Sequence, residues 1–136
     1  MKIAGINPYL VFAGTCEEAF KFYEKIFGGK IEMMMPHEGT PAESHVPKEW
    51  LKKIMHVSMK VGDMTLMGSD SPPDSYTKPA GITVSMQVPD PAEGGKLFDA
   101  LSEGGSITMP FAPTFWAKGF GMCTDRFGIP WMVNCQ

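Results

Sequence analysis

Only a few side chains in this sequence combine reactive chemistry with an informative spacing, and His56 is the first of them. In the segment Lys53 to Val61, Met55, Val57, Met59 and Val61 alternate with His56, Ser58 and Lys60. Successive side chains of a strand point to opposite faces, so His56, Ser58 and Lys60 share the polar one. An imidazole titrates near neutrality. It can bind an anion, act as acid or base, or serve as a structural hydrogen-bonding group. The same alternation sets Thr83, Ser85 and Gln87 against an apolar face of Ile82, Val84, Met86 and Val88. The polar triplets either meet water or line a partly polar concave cavity. His37 and His45 fall in an irregular stretch and read as surface loop residues.

The densest aromatic run, Phe111 to Gly121, carries Trp116, Lys118 and Phe120. Its rings offer a flat apolar wall and Lys118 a positive charge for a carboxylate or phosphonate, or the run fills core and dimer interface. Cys16, Cys123 and Cys135 are odd in number and lack CxxC spacing, which argues against a disulfide framework or zinc knuckle. They read as small buried hydrophobes in a reducing compartment. No HExxH, GxGxxG, Walker-type loop or GxSxG elbow occurs, and no glycine-rich loop suits a nucleotide-bearing methyl donor. No cofactor is therefore expected.

The elements that position these residues are legible. Tyr9 to Ala13 predicts a buried strand, with Thr15 and Glu18 in capping-box spacing before a helix over Cys16 to Phe27. Its apolar stripe is Ala19, Phe20, Tyr23, Ile26 and Phe27, and Gly28-Gly29 stops it. Lys30 to Met35 reads as a strand, Pro36 to Leu51 as a mobile flap or interface loop, and Lys53 to Val61 with Met64 to Ser69 as a hairpin about Gly62-Asp63. The order then repeats: a strand over Ile82 to Val88, a helix over Asp90 to Leu101 stopped by Gly104-Gly105, and strands over Ile107 to Phe111, Trp116 to Thr124 and Ile129 to Asn134. Gly28-Gly29-Lys30-Ile31-Glu32-Met33 echoes Gly104-Gly105-Ser106-Ile107-Thr108-Met109, which supports an internal duplication.

The expected fold is therefore α+β: one domain over residues 1–136, built from βαβββ modules at 7–70 and 80–136. With 43% apolar residues it can fill a core without disulfides or a structural metal. Twelve basic and fifteen acidic side chains give a formal net charge of -3, so neither nucleic acid nor membrane is an expected partner. The N-terminal stretch lacks a signal-peptide core and a cytoplasmic location is expected.

Several motifs carry a resemblance. Pro8-Tyr9-Leu10-Val11-Phe12-Ala13-Gly14, Phe22-Tyr23, Ile54-Met55-His56 and Met67-Gly68-Ser69-Asp70 are followed by Thr114-Phe115-Trp116-Ala117-Lys118-Gly119-Phe120-Gly121 and Thr124-Asp125-Arg126-Phe127-Gly128-Ile129-Pro130-Trp131-Met132. Together they resemble the vicinal oxygen chelate superfamily of glyoxalase I, extradiol dioxygenases and bleomycin-resistance proteins, and within it the PhnB-like, or demethylubiquinone-methyltransferase-like, branch. The resemblance implies paired βαβββ modules of the vicinal oxygen chelate type forming an incomplete barrel with a central cleft around a divalent metal. The positions it implies for metal ligands hold Pro8, Met67, Thr83 and Met132. These are no ligand, two soft thioethers and a poor neutral donor, so no metal is expected. The leading expectation is a metal-free, homodimeric small-molecule binding protein with an unknown ligand, using His56, Ser58, Lys60, Thr83, Ser85, Gln87, Trp116, Lys118 and Phe120. The alternatives are a glyoxalase- or dioxygenase-like enzyme using His56 with a nonstandard metal or none, and a structural or interaction protein with no ligand.

Overall fold

A single chain path, traced twice, accounts for the whole fold. The computed structural model describes residues 1–136 and divides into two compact units, Met1–Thr77 and Lys78–Gln136. The first unit runs β1 (Tyr9–Phe12), α1 (Cys16–Phe27), β2 (Lys30–Pro36), β3 (Ile54–Val61) and β4 (Met64–Asp70). The second runs β5 (Val84–Gln87), α2 (Pro91–Ser102), β6 (Ser106–Ala112), β7 (Gly119–Thr124) and β8 (Pro130–Cys135). Each forms a four-stranded mixed sheet, ordered β1-β4-β3-β2 and β5-β8-β7-β6, in which only the first neighbours pair in parallel. This is the expected α+β architecture, with two open sheets and no closed barrel.

Glycine closes both helices, directly at the left-handed C-cap Gly28 of α1 and one residue beyond the extended C-cap Glu103 of α2. Gly28 (φ 66) and Gly104 (φ 77) adopt left-handed backbone, where other residues are strained. The glycine that follows each lies against a strand: a Cβ at Gly29 would sit 2.8 Å from Lys60 O, and one at Gly105 would collide with Thr124 O. The Gly-Gly echo therefore records two equivalent tight junctions between a helix end and its sheet.

In the first unit, Leu10, Phe12, Val57, Met59 and Leu66 are buried on the face that α1 covers with Cys16, Ala19, Phe20 and Tyr23. Gly68 keeps that face flat, since a Cβ there would fall 2.7 Å from the Phe20 ring. In the second, Trp131, Val133 and Cys135 share the helix face with Phe98 and Leu101. Gly119 and Gly121 leave room there for Phe111 and Phe98, while Phe120 between them points to the opposite face. The Gly-Phe-Gly motif is thus a packing device.

Some local expectations are corrected. Thr15 makes no side-chain cap, because its φ of -110 and ψ of 15 depart from the extended N-cap geometry. Asp70 takes over: Gly14 N and Cys16 N donate to its Oδ1 at 2.9 and 3.0 Å, and Ile54 N donates to Oδ2 at 2.9 Å. His37 is buried, not a surface residue; its Nδ1 lies 2.8 Å from Lys53 O, to which its backbone N–H also donates. The 36–51 stretch contains short 3-10 helices at Pro41–His45 and Lys48–Trp50, the first capped by Thr40. Ile82 is exposed because β5 has a ladder partner only from Val84 onward, opposite Trp131. Trp116 lies outside β7, in a turn where Thr114 Oγ1 accepts from Trp116 N and Ala117 N.

Candidate functional site

Each sheet has one face under its helix and one open face, and ladder register sorts the side chains between them. Paired residues project to the same side. On β3, Ser58 pairs with Met33 and Met67, Lys60 with Lys30 and Thr65, and His56 with Met35. On β1, Tyr9 pairs with Met67 and Val11 with Ser69. The open face of the first unit therefore holds Tyr9, His56, Ser58 and Lys60 beside Met33, Met35 and Met67.

Two of these side chains are locked together. Tyr9 Oη lies 3.0 Å from His56 Nδ1, and the rings stack with centroids 5.6 Å apart and an interplanar angle of 25°. The pair bridges β1 and β3 across the intervening β4. The tyrosine engages Nδ1 and leaves Nε2 as the other ring nitrogen of this half-buried imidazole. Sequence reasoning placed His56, Ser58 and Lys60 on one face but missed Tyr9 as the partner of His56. The alternation of Tyr9 and Val11 against Leu10 and Phe12 was the available signal.

On the second unit, Ser85 pairs with Met132, Gln87 with Asn134, and Phe120 with Asn134. The helix-free face there holds Ser85, Gln87, Phe120 and Met132, with Asn134 as an unforeseen member, and on it Ser85 and Gln87 are exposed while Phe120 and Asn134 are buried. Thr83 lies half-buried just before β5, off the ladder. Trp116 meets Phe120 edge-on at 5.2 Å and Phe115 at 4.8 Å. Lys118 is exposed where the chain enters β7, its backbone N–H donating to Cys135 O at 2.7 Å. The polar triplets thus belong to different units, with Trp116, Phe120, Ser85 and Gln87 together on the second.

The other motif residues with chemical potential serve the scaffold. Asp125 Oδ1 accepts from Phe127 N and Ile129 N, and Oδ2 from Trp131 Nε1 at 2.8 Å, shaping the turn from β7 into β8. All three cysteines are free and buried, and burial is the main cause that raises each thiol above its ordinary value. Nearby carboxylates push the same way: Asp70 and Glu17 on Cys16, Asp125 on Cys123 (where a hydrogen bond with Ser102 opposes them), and Asp90 on Cys135.

This architecture defines the class. The chain belongs to the Glyoxalase/Bleomycin resistance protein/Dioxygenase superfamily, whose model matches residues 5–133. It is 32% identical over 137 residues to Protein YjdN of Escherichia coli (strain K12), covering 95% of this chain and 93% of that protein. Protein PA1353 from Pseudomonas aeruginosa is 47% identical in sequence and matches in structure with a TM-score of 0.89 over 98% of each chain. The PhnB protein from Bacillus cereus shares the fold at 23% identity, with a TM-score of 0.80 over 96% of this chain and 98% of its own.

The divalent metal associated with this fold does not suit the residues present. Met67 and Met132 are thioethers on open sheet faces, Thr83 offers a neutral hydroxyl and Pro8 no side-chain ligand atom. No group of three or more His, Cys, Asp or Glu side chains is placed to hold a metal ion. No chemistry through a metal is derived for this chain.

Proposed function

We propose that this chain is a metal-free, cytoplasmic protein that binds a small molecule on the open face of its first sheet, with His56 as the principal polar contact. The observation that carries this reading is the Tyr9–His56 pair at 3.0 Å. In this reading the tyrosine hydroxyl donates to Nδ1 and the neutral ring carries its hydrogen on Nε2, so the imidazole presents a donor outward. That donor suits a carbonyl or an anionic oxygen, and Lys60 adds positive charge on the same face. Met33, Met35 and Met67 supply polarizable, adaptable surface for the apolar part of a ligand. A half-buried histidine on the helix-free face, held by a solvent-facing tyrosine contact, fits recognition better than core packing. The functional unit in this reading is a homodimer, to which exposed aromatic residues such as Phe115 and Trp116 contribute.

Elemental analysis joined to native mass spectrometry tests the metal-free part of the reading on protein purified without chelator. The expected result is a dimer with substoichiometric zinc, nickel, manganese and iron. About one such metal per chain, removable by chelator with loss of ligand binding, would overturn it.

A further inference from the structure

The open face of the second sheet contains a buried hydrogen-bond acceptor with no protein donor. Asn134 is only 8% exposed. Its side chain lies opposite the helix face, which Val133 and Cys135 occupy against Gly94 of α2. Asn134 Nδ2 donates to Gln87 Oε1 at 2.8 Å, and Gln87 Nε2 donates in turn to Ser85 Oγ at 3.1 Å. This relay occupies the amide nitrogen of Asn134 and aims it along the sheet. Asn134 Oδ1 is buried and has no partner. Nearly all buried polar side-chain atoms in folded proteins are hydrogen-bonded, because an unpaired one forfeits its hydration without return.

The surroundings define what would pair with it. Phe120 is the ladder neighbour of Asn134, and Trp116 stands edge-on to Phe120 at 5.2 Å. Every member of the relay is uncharged, so the relay itself offers an ion no opposite charge to offset its desolvation. A neutral O–H or N–H on a flat apolar skeleton matches both features, a donor for Asn134 Oδ1 and a ring for the Phe120–Trp116 aromatics, which must give way because Oδ1 is shielded from solvent.

We infer that Asn134 is a specificity-determining residue that selects ligands bearing an uncharged hydroxyl or N–H donor beside an aromatic or similarly flat apolar group. This deepens the proposed binding function and rests on that reading, but it uses a different unit from the Tyr9–His56 pair. Turning both amides over together would preserve the relay and expose an NH2 edge instead. The probes below distinguish that arrangement from the present one.

The test is titration of the intact, isotopically labelled protein with phenol, anisole and acetophenone, observed through the side-chain N–H signals of Asn134, Gln87 and Trp116. Phenol combines a donor with a ring; anisole keeps the ring without the donor; acetophenone presents only an acceptor. Phenol is expected to shift all three sets of signals and to bind about threefold to tenfold more tightly than anisole, the range for one neutral hydrogen bond. Asn134→Leu is expected to abolish that preference, and the wild-type comparison of phenol with anisole decides the matter if the variant does not fold. Equal affinities for phenol and anisole, unmoved Asn134 signals, or a preference for acetophenone would overturn the inference. Shifts at His56 without shifts at Asn134 would overturn it while leaving the proposed binding function standing.

Discussion

Tyr9 Oη and His56 Nδ1 meet at 3.0 Å, although the residues are separated by 47 positions and by a whole strand of the sheet. The contact is exposed, so water can replace it and it adds little to folding. Tyr9→Phe is expected to lower unfolding free energy by less than about 1 kcal/mol in urea titrations. Its effect falls on the imidazole, which loses the hydroxyl that lies against Nδ1. Nitrogen shifts of His56 should report Nδ1 as the unprotonated nitrogen of the neutral ring in the wild type and a mixture of tautomers in the variant.

Asp70 should behave in the opposite way. Its carboxylate accepts backbone N–H groups from Gly14, Cys16 and Ile54, which ties the entry to α1 and the start of β3 to the end of β4. Asp70→Ala strands buried donors and is expected to cost about 3 kcal/mol or more, read as a lower urea midpoint. Asp70→Asn retains one acceptor oxygen and should lose less.

Gly121 tests the packing role of the Gly-Phe-Gly motif. A Cβ there would fall 2.7 Å from the Phe98 ring and 3.0 Å from Phe111 Cα, and the second contact is backbone that cannot swing aside. Gly121→Ala should destabilise by about 1–3 kcal/mol through overpacking. Calorimetry or urea unfolding would reveal it, and an unchanged midpoint would mean that α2 and β6 can retreat at no cost.

The cysteines set the alkaline limit. All three thiols are raised above the ordinary value, chiefly by burial, so the folded chain keeps protons that the unfolded chain releases. Their contribution to stability is complete below the unfolded thiol pKa of about 8.5 and declines as pH rises above it. Urea midpoints should therefore fall from about pH 8.5 upward. A thiol-specific reagent at pH 8 should react slowly with native protein and with all three cysteines once it is unfolded.

The sequence made the scaffold more legible than the site, for physical reasons. The α1 boundaries followed from the glycine stop and the apolar stripe, and the strand faces followed from alternation at His56-Ser58-Lys60 and Ser85-Gln87. Those signals are local. Tyr9–His56 and Asn134–Gln87 are each contacts over 47 positions that depend on ladder register, which no window of sequence specifies. Thr15 and Glu18 matched a capping pattern, yet Asp70, distant in sequence, supplied the hydrogen bonds. Much of the motifs that carry the family resemblance is scaffold, with Asp125 shaping a turn and Gly119 and Gly121 admitting phenylalanine rings, whereas Tyr9, His56, Trp116 and Phe120 of the same motifs stand at the candidate sites. The motifs identify the fold without identifying the ligand.

The most direct measurement is equilibrium dialysis of wild-type and His56→Ala protein against a pool of cellular small molecules, with mass spectrometry of what each retains. Urea unfolding of both proteins accompanies it. Wild type should concentrate at least one compound bearing a carbonyl or anionic oxygen. His56→Ala should hold it about tenfold to a hundredfold more weakly, the range for a hydrogen bond to a charged partner, while its stability changes by less than about 1 kcal/mol. Equal retention by the two proteins, or a stability loss of about 1–3 kcal/mol with unchanged affinity in the folded fraction, would place His56 in the scaffold and contradict the account.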